Sequence, residues 1–196
     1  KYSEAEPLYV RALHIREEQL GAHHPDTSTS LNNLASLYGS QGKYSEAEPL
    51  YVRALHIREE QLGAYHPQTA GSLNNLASLY GSQGKYSEAE PLYVRALHIR
   101  EEQLGAHHPD TATSLNNLAY LYQSQGKYSE AEPLYVRALH ISKEQLGAHH
   151  PQTQQVRMNY LTLLAQIYTN GDMDALLELL AKQEQDDDTD EEVTEE

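Results

Sequence analysis

Apolar residues in this chain recur at helical spacing, and the pattern first becomes clear in the segment SLNNLASLYGSQG. Its apolar members lie three or four positions apart, as on one face of an α-helix: Leu31, Leu34, Ala35 and Tyr38. Pro25 precedes the segment and suits a first helical turn, where its missing N–H costs least. Gly42 follows the last apolar residue and indicates where the helix stops. The pattern predicts a helix between Pro25 and Gly42.

A second apolar face follows and predicts a second helix. Its members are Ala47, Leu50, Tyr51, Ala54, Leu55 and Leu62. Ser45 is followed three residues later by Glu48, which is the sequence of a capping box, so we expect this helix to open at Ser45. Gly63 predicts its end. Alternating apolar and polar positions, which are typical of strands, are absent, so the chain is predicted to be all-α.

The two predicted helices form a unit that returns every 42 residues. The segment KYSEAEPLYVRALHI begins at Lys1, Lys43, Lys85 and Lys127, and SLNNLA begins at Ser30, Ser72 and Ser114. A fixed period of this length indicates stacked units and not one closed globule. The few large apolar side chains of one unit contribute about 1.5–3 kcal/mol each. Because ordering each residue costs roughly 1–2 kcal/mol, a unit needs neighbours on both sides.

The repeated positions resemble the signature of the tetratricopeptide repeat family. They are Leu34, Ala35, Tyr38, Gly42, Tyr44, Ala47, Tyr51 and Ala54, and the set returns one and two units later. The period exceeds the usual 34 residues of that family, and together with LNNLA and LGAHHP it resembles the kinesin-light-chain-like branch. This resemblance implies a right-handed α-solenoid of stacked helix-turn-helix repeats.

We expect three parts along the chain. Residues 1–170 are predicted to form about four repeats, of which the first lacks its first helix; 171–185 a C-terminal capping helix; and 186–196 a disordered acidic tail. Because the sequence opens within a repeat and without methionine, we expect a piece of a longer protein. The first helix then lacks a partner, so Leu8, Ala12 and Leu13 are predicted to be partly exposed and to favour end-to-end self-association.

The resemblance also implies a concave groove lined by the first helices of successive units. The candidate binding residues are Asn32, Asn33, Ser36, Asn74, Asn75, Ser78, Asn116, Asn117, Tyr120 and Gln123. A carboxamide suits an extended peptide because it donates to a carbonyl and accepts from an N–H. The lysine and arginine with which relatives hold a terminal carboxylate are absent here, so the groove is predicted to be neutral. Alternatively, the asparagines bridge neighbouring repeats or cap the local backbone.

Charge and composition narrow the classes of partner. The net charge is −15, and eight acids fall in the last eleven residues. This balance argues against nucleic acid, which requires clustered Lys and Arg. The tail is interpreted as a solubilising end or, alternatively, as a docking strip for a basic partner. No apolar run approaches the roughly 20 residues that span a bilayer. The start lacks a secretory signal pattern, so a cytoplasmic protein without membrane partners is predicted.

The sequence does not indicate a metal site, a cofactor or an enzyme. The chain has no cysteine, which excludes disulfides and thiolate chemistry. Equivalent histidines such as His56 and His98 are one unit apart, roughly 10 Å by helix spacing, whereas a zinc–nitrogen bond is about 2 Å. Serines, acids and histidines recur in every unit, and no departure from the repeat gathers a nucleophile with a base.

Two classes of function remain. The first is a protein-interaction scaffold that binds an extended or helical peptide segment. The resemblance implies attachment of cargo to a microtubule motor in an animal setting, or a signalling scaffold of the long bacterial arrays, which the uniform repeats favour. The alternative is a structural or self-assembling spacer in which units stack end to end without a groove ligand.

Overall fold

The computed structural model describes residues 2–182, and all regular secondary structure in that range is helical. The helices are α1 Tyr2–Leu20, α2 Pro25–Ser40, α3 Tyr44–Leu62, α4 Pro67–Ser82, α5 Tyr86–Leu104, α6 Pro109–Ser124, α7 Tyr128–Leu146 and α8 Pro151–Tyr168. Residues 173–182 are also helical, where the capping helix is predicted. The predicted acidic tail lies outside the described residues.

The even-numbered helices begin at a histidine cap followed by proline. At α4, the Nδ1 atom of His66 accepts a hydrogen bond of 3.1 Å from the backbone N–H of Gln68, and Pro67 occupies the first helical position. This side-chain acceptor satisfies one of the N–H groups that a helix start leaves without an intrahelical partner. The other even-numbered helices have the same cap, from His24, His108 and His150. The predicted start of α2 at Pro25 is confirmed.

The odd-numbered helices begin differently from the prediction. Helix α3 starts at Tyr44, and its N-cap residue Lys43 makes no side-chain cap hydrogen bond. Ser45 therefore lies inside the first turn, where its hydroxyl donates to the Glu46 carboxylate at 2.7 Å. Glu48 accepts instead from the hydroxyl of Tyr80 in the next unit, at 3.0 Å. The predicted capping box is wrong, because contacts between units engage the glutamate that it requires.

The core runs continuously from one unit to the next. In the first interior cluster, Ala35, Ala47 and Tyr51 of one unit pack with Leu76 and Leu79 of the following unit. The same cluster recurs one unit on. Each described helix packs against its neighbours in chain order, and no packing joins helices more than two positions apart. This arrangement is an all-α repeat solenoid, as the sequence predicts.

The first helix has a partner on one side only. Leu13 packs against the cluster that contains Ile57. Leu8 is 67% exposed and Ile15 is 46% exposed, whereas Ile57 and Ile99, which are equivalent to Ile15 in later units, are 1% and 0% exposed. The predicted partial exposure is therefore confirmed, because Leu8 and Ala12 are exposed and Leu13 is half-buried.

Candidate functional site

The even-numbered helices line one side of the array. Helices α2, α4, α6 and α8 contact one another in succession, whereas successive odd-numbered helices do not approach as closely within the described range. Long side chains bridge the odd-numbered helices instead: Arg53 pairs with Glu17 at 2.7 Å, and Arg95 pairs with Glu59 at 2.7 Å. Because the spacing is closer on the even side, the array curves towards it. The even-numbered helices thus line the concave side.

The first asparagine of each SLNNLA segment connects neighbouring units. The Nδ2 atom of Asn32 donates to the carbonyl of Ser28 at 3.0 Å and to the hydroxyl of Ser72, in the next unit, at 3.2 Å. Its side chain is buried. The alternative interpretation, in which an asparagine bridges repeats, therefore describes Asn32.

The same bridge recurs along the array. The Nδ2 atom of Asn74, which is also buried, donates to the hydroxyl of Ser114 at 3.0 Å. Asn116 occupies the equivalent position one unit on, and its Oδ1 atom accepts from Asn159 of α8 at 2.9 Å. These amides already have partners within the stack.

A repeated arginine, which the sequence analysis does not single out, completes the junctions from α3 to α4 and from α5 to α6. The Nη1 atom of Arg58 donates to the carbonyl of Gln68 at 2.8 Å and to Ser72 at 3.1 Å, while its Nε atom donates to Ser28 at 2.9 Å. Arg100 repeats the Nη1 bonds one unit on. Burial lowers the pKa of both guanidinium groups. The available signal was an arginine that directly follows the same isoleucine in three of the four units; the fourth unit has Ser142 there.

The second asparagine and the following polar position face solvent. We call this set the groove strip: Asn33, Ser36, Asn75, Ser78, Asn117 and Tyr120. All are exposed except Asn117, which is half-buried. The Nδ2 atom of Asn75 lies 3.5 Å from Oδ1 of Asn32, at the limit of a hydrogen bond. The exposed asparagines of the strip therefore present amides that the stack engages weakly.

Two equivalent pockets open beside the groove strip. The first pocket lies between α2, α3 and α4, has a volume of about 200 Å³ and includes Gly39, Tyr51 and Ser82 in its lining. The second pocket lies one unit on, has a volume of about 180 Å³ and includes Gly81, Tyr93 and Ser124. Neither lining contains a charged residue. The concave side therefore combines an exposed polar strip with uncharged recesses at unit spacing.

A tyrosine hydroxyl forms a polar part of each pocket. Tyr51 and Tyr93 are each 6% exposed. Burial raises the pKa of Tyr93 to about 12, and a hydrogen bond with Ser78 opposes this shift. Burial likewise raises the pKa of Tyr51, against a hydrogen bond with Ser36. Both hydroxyls therefore stay protonated near neutral pH and can donate a hydrogen bond.

In the third unit, a glutamine occupies the position that glycine has in the first two. Gln123 is equivalent to Gly81, and its Oε1 atom accepts from the hydroxyl of Tyr135 at 2.8 Å. Its Nε2 atom donates to Oε1 of Gln166 at 2.9 Å. Gln123 is buried, so the structure places this predicted groove residue inside the stack. We therefore leave Gln123, like the bridging asparagines, out of the binding surface.

The described residues show no metal or membrane feature. Between residues 2 and 182, no three acidic or histidine side chains gather as a metal ion requires. His56 pairs with Glu60 at 3.2 Å, one turn along its own helix. None of the described helices combines the length and the apolar character needed to cross a membrane.

Comparison with known proteins identifies the repeat. A family model for the tetratricopeptide repeat matches residues 1–60, 40–102, 68–144 and 110–182. A solved structure of a Podosopora anserina protein, described as a kinesin light chain with nearly identical TPR-like repeats and determined as a single-substitution variant, is 25% identical. It has a TM-score of 0.71, and the match covers 92% of this chain and 85% of that one.

A second structure, of BtubC (BKLC) from P. vanneervenii, is 27% identical with a TM-score of 0.73. This match covers 92% of this chain and 72% of that one. Comparison with curated proteins gives no significant match. The chain therefore belongs to the tetratricopeptide repeat family, in its kinesin-light-chain-like form, and is a protein-interaction repeat scaffold.

Proposed function

We propose that the array binds an extended or helical peptide segment of a partner protein along the groove strip. The observation that carries this proposal is that two adjacent asparagines differ in burial and in hydrogen bonding. Asn74 is buried and bonded to the next unit, whereas Asn75 is exposed and lines the first pocket. A polar surface that repeats at unit spacing, and whose exposed amides the stack engages only weakly, supports a role in binding.

The chemistry of the strip favours a neutral peptide segment. A carboxamide donates to one peptide carbonyl and accepts from one peptide N–H, so Asn33 and Asn75 together suit an extended backbone. The pocket linings contain no lysine or arginine for a terminal carboxylate. The net charge of −15 further disfavours an acidic ligand.

Site-specific photo-crosslinking tests this proposal. A photoreactive amino acid at Ser78, on the concave side, should capture partner peptides from a cell extract, and mass spectrometry should identify one recurring segment. The matched control carries the same group at Val94, an exposed position on α5. Equal capture from Ser78 and Val94 would contradict binding in the groove.

A pull-down tests the amides directly. Changing Asn33 and Asn75 together to alanine should weaken capture of that segment roughly tenfold, because two hydrogen bonds of about 0.5–1.5 kcal/mol each are lost. The helical circular dichroism signal should not change. Undiminished capture by the double variant would show that these amides do not contact the peptide.

A structural spacer is the second candidate, and exposed apolar side chains on the first and last described helices support it. Leu8 and Ile15 are exposed on α1, and Tyr168 and Leu177 are 61% and 49% exposed at the other end. End-to-end contact between copies would cover both faces. Light scattering should then show a mass that rises with concentration in the wild type but not in Ile15→Lys. A constant monomer mass would exclude this spacer.

We further propose that this scaffold is cytoplasmic and has no catalytic activity. The serines, histidines and acids recur in every unit, as residues of the scaffold do. Cell fractionation of the tagged protein tests the location. Recovery of the tagged chain outside the cytoplasmic fraction would contradict it.

A further inference from the structure

In the third unit, a glutamine side chain of the protein itself fills the space that is an open pocket in the first two units. Gln123 enters the equivalent space from its own helix and bonds both the hydroxyl of Tyr135 and the carboxamide of Gln166. With that space filled, Tyr135 is 0% exposed, whereas Tyr51 and Tyr93 are each 6% exposed. The array therefore contains one occupied copy of a feature that is open in two other copies.

The open pockets retain the polar groups that a carboxamide needs. The Tyr93 hydroxyl can donate, as Tyr135 does in the third unit. Ser124 occupies the position equivalent to Gln166 and lines the second pocket. Its hydroxyl donates to the carbonyl of Tyr120 at 2.8 Å, which leaves the oxygen lone pairs free to accept. Ser82 donates in the same way to the carbonyl of Ser78 beside the first pocket.

We propose that each open pocket receives the side chain of a glutamine from the bound peptide. This inference rests on the proposed peptide binding and specifies its chemistry. The glutamine Oε1 atom accepts from Tyr51 or Tyr93, and its Nε2 atom donates to Ser82 or Ser124. A glutamate is disfavoured because it has no N–H for the serine and meets no cation in either lining. A leucine would leave the tyrosine hydroxyl without that partner.

The spacing of the pockets suggests the spacing of the two glutamines. Packed helices such as α2 and α4 are roughly 8–10 Å apart. A polyproline II segment rises about 3.1 Å per residue with three residues per turn, so positions i and i+3 share a face about 9.3 Å apart. The geometry therefore favours the pattern Gln-x-x-Gln.

The first test compares three synthetic peptides on the wild-type protein. Each carries a fluorescent label and the core Gln-Pro-Pro-Gln, Glu-Pro-Pro-Glu or Leu-Pro-Pro-Leu within the same Gly-Ser flanks. Fluorescence polarisation should give a Kd at least tenfold lower for the glutamine peptide. Equal affinities for the three peptides, or no binding of the glutamine peptide, would overturn the proposal.

The second test fills the two open pockets with side chains of the protein itself. The double variant Gly39→Gln with Gly81→Gln should reproduce the filled state of the third unit and weaken the glutamine peptide at least tenfold. The matched control is Gly39→Ala with Gly81→Ala, which should bind as the wild type does. A methyl group at these positions meets only Leu79 Cδ1 at 3.6 Å and Leu121 Cδ1 at 3.7 Å, which is ordinary contact. Unchanged binding by the glutamine double variant would refute the pocket assignment.

A third variant tests whether opening the third pocket increases peptide affinity. Gln123→Ala should open the third pocket, and a peptide with three glutamines at the same spacing should then bind severalfold tighter than it binds the wild type. No gain in affinity, in a variant with unchanged helical circular dichroism, would count against the proposal.

The photo-crosslinking at Ser78 separates peptide binding in the groove from glutamine recognition in the pockets. Specific capture there, combined with equal affinity for all three peptides, would refute the glutamine pockets and leave peptide binding in place.

Discussion

Asn74 and Asn75 are adjacent and chemically identical, but only Asn74 is buried and firmly hydrogen-bonded to the next unit. Comparing their alanine variants therefore tests which contacts hold the stack together. We expect Asn74→Ala to destabilise the array and Asn75→Ala to leave its stability unchanged. Asn74 is 5% exposed and donates to Ser114 of the next unit at 3.0 Å. Asn75 is exposed, and its contact with Asn32 is 3.5 Å long.

The hydrogen bonds of Asn74 set the expected magnitude. Its alanine variant loses one neutral hydrogen bond, which contributes about 0.5–1.5 kcal/mol. The Ser114 hydroxyl keeps the bond that it accepts from Arg100 at 3.0 Å, so it is not left unpaired. The Oδ1 atom of Asn74 has no partner, so its removal costs nothing further. For Asn75, a contact at the limit of hydrogen-bond length predicts a change within about 0.5 kcal/mol.

Thermal unfolding followed by far-ultraviolet circular dichroism measures the difference. A protein of this size loses about 2–4 °C in Tm per kcal/mol, so Asn74→Ala should lower Tm by about 1–6 °C. The Tm of Asn75→Ala should stay close to that of the wild type. An equal fall in both variants would show that both asparagines hold the stack, and would remove the basis for assigning Asn75 to ligand binding.

Three further predictions concern single residues. His66→Ala should lower the free energy of unfolding in urea by about 1 kcal/mol, because the N-cap is lost. His66→Asn should retain most of that stability, and equal losses in the two variants would contradict the cap. Tyr93 has a pKa of about 12 in the folded protein against about 10 when unfolded, so the unfolded chain loses that proton first and stability falls as pH rises from 10 to 12. The expected slope is about 1.4 kcal/mol per pH unit, and Tyr93→Phe should remove this contribution; an unchanged alkaline slope would refute it. Leu73→Ala, at 0% exposure, should cost about 2–5 kcal/mol in urea unfolding, whereas Val94→Ala should cost less than about 0.5, and equal costs would contradict the assigned core.

The helix boundaries were predictable where local chemistry determines them. Pro25 suits the opening turn of a helix, and Gly63 has a φ of 102° that other residues rarely adopt, so both limits agree with the residue type. The start of α3 was not predictable from Ser45 and Glu48, because Glu48 contacts Tyr80 one unit away. A capping motif is local, whereas the competing partner lies far along the chain.

The binding side was predictable only in part. The sequence places Asn32 and Asn33 side by side, and one of them faces the next unit while the other faces solvent. Which one does so depends on how the units are rotated against each other, and the sequence pattern of one unit does not fix that rotation. In the sequence, Gln123 is a simple replacement of glycine. Its hydrogen bond with Tyr135 becomes visible only when the packing of α6 against α7 is known.

The first two junctions between units share most of their hydrogen bonds. The bond from Asn32 to Ser72 returns as the bond from Asn74 to Ser114, and the Nη1 contacts of Arg58 return with Arg100. A unit inserted or deleted at such a junction meets the same neighbours as before. Gene duplication can thus lengthen or shorten the scaffold in whole steps without refitting its core. Each added or lost unit changes the number of pockets by one. The avidity for a ligand with repeated binding residues is therefore set by the inherited number of units.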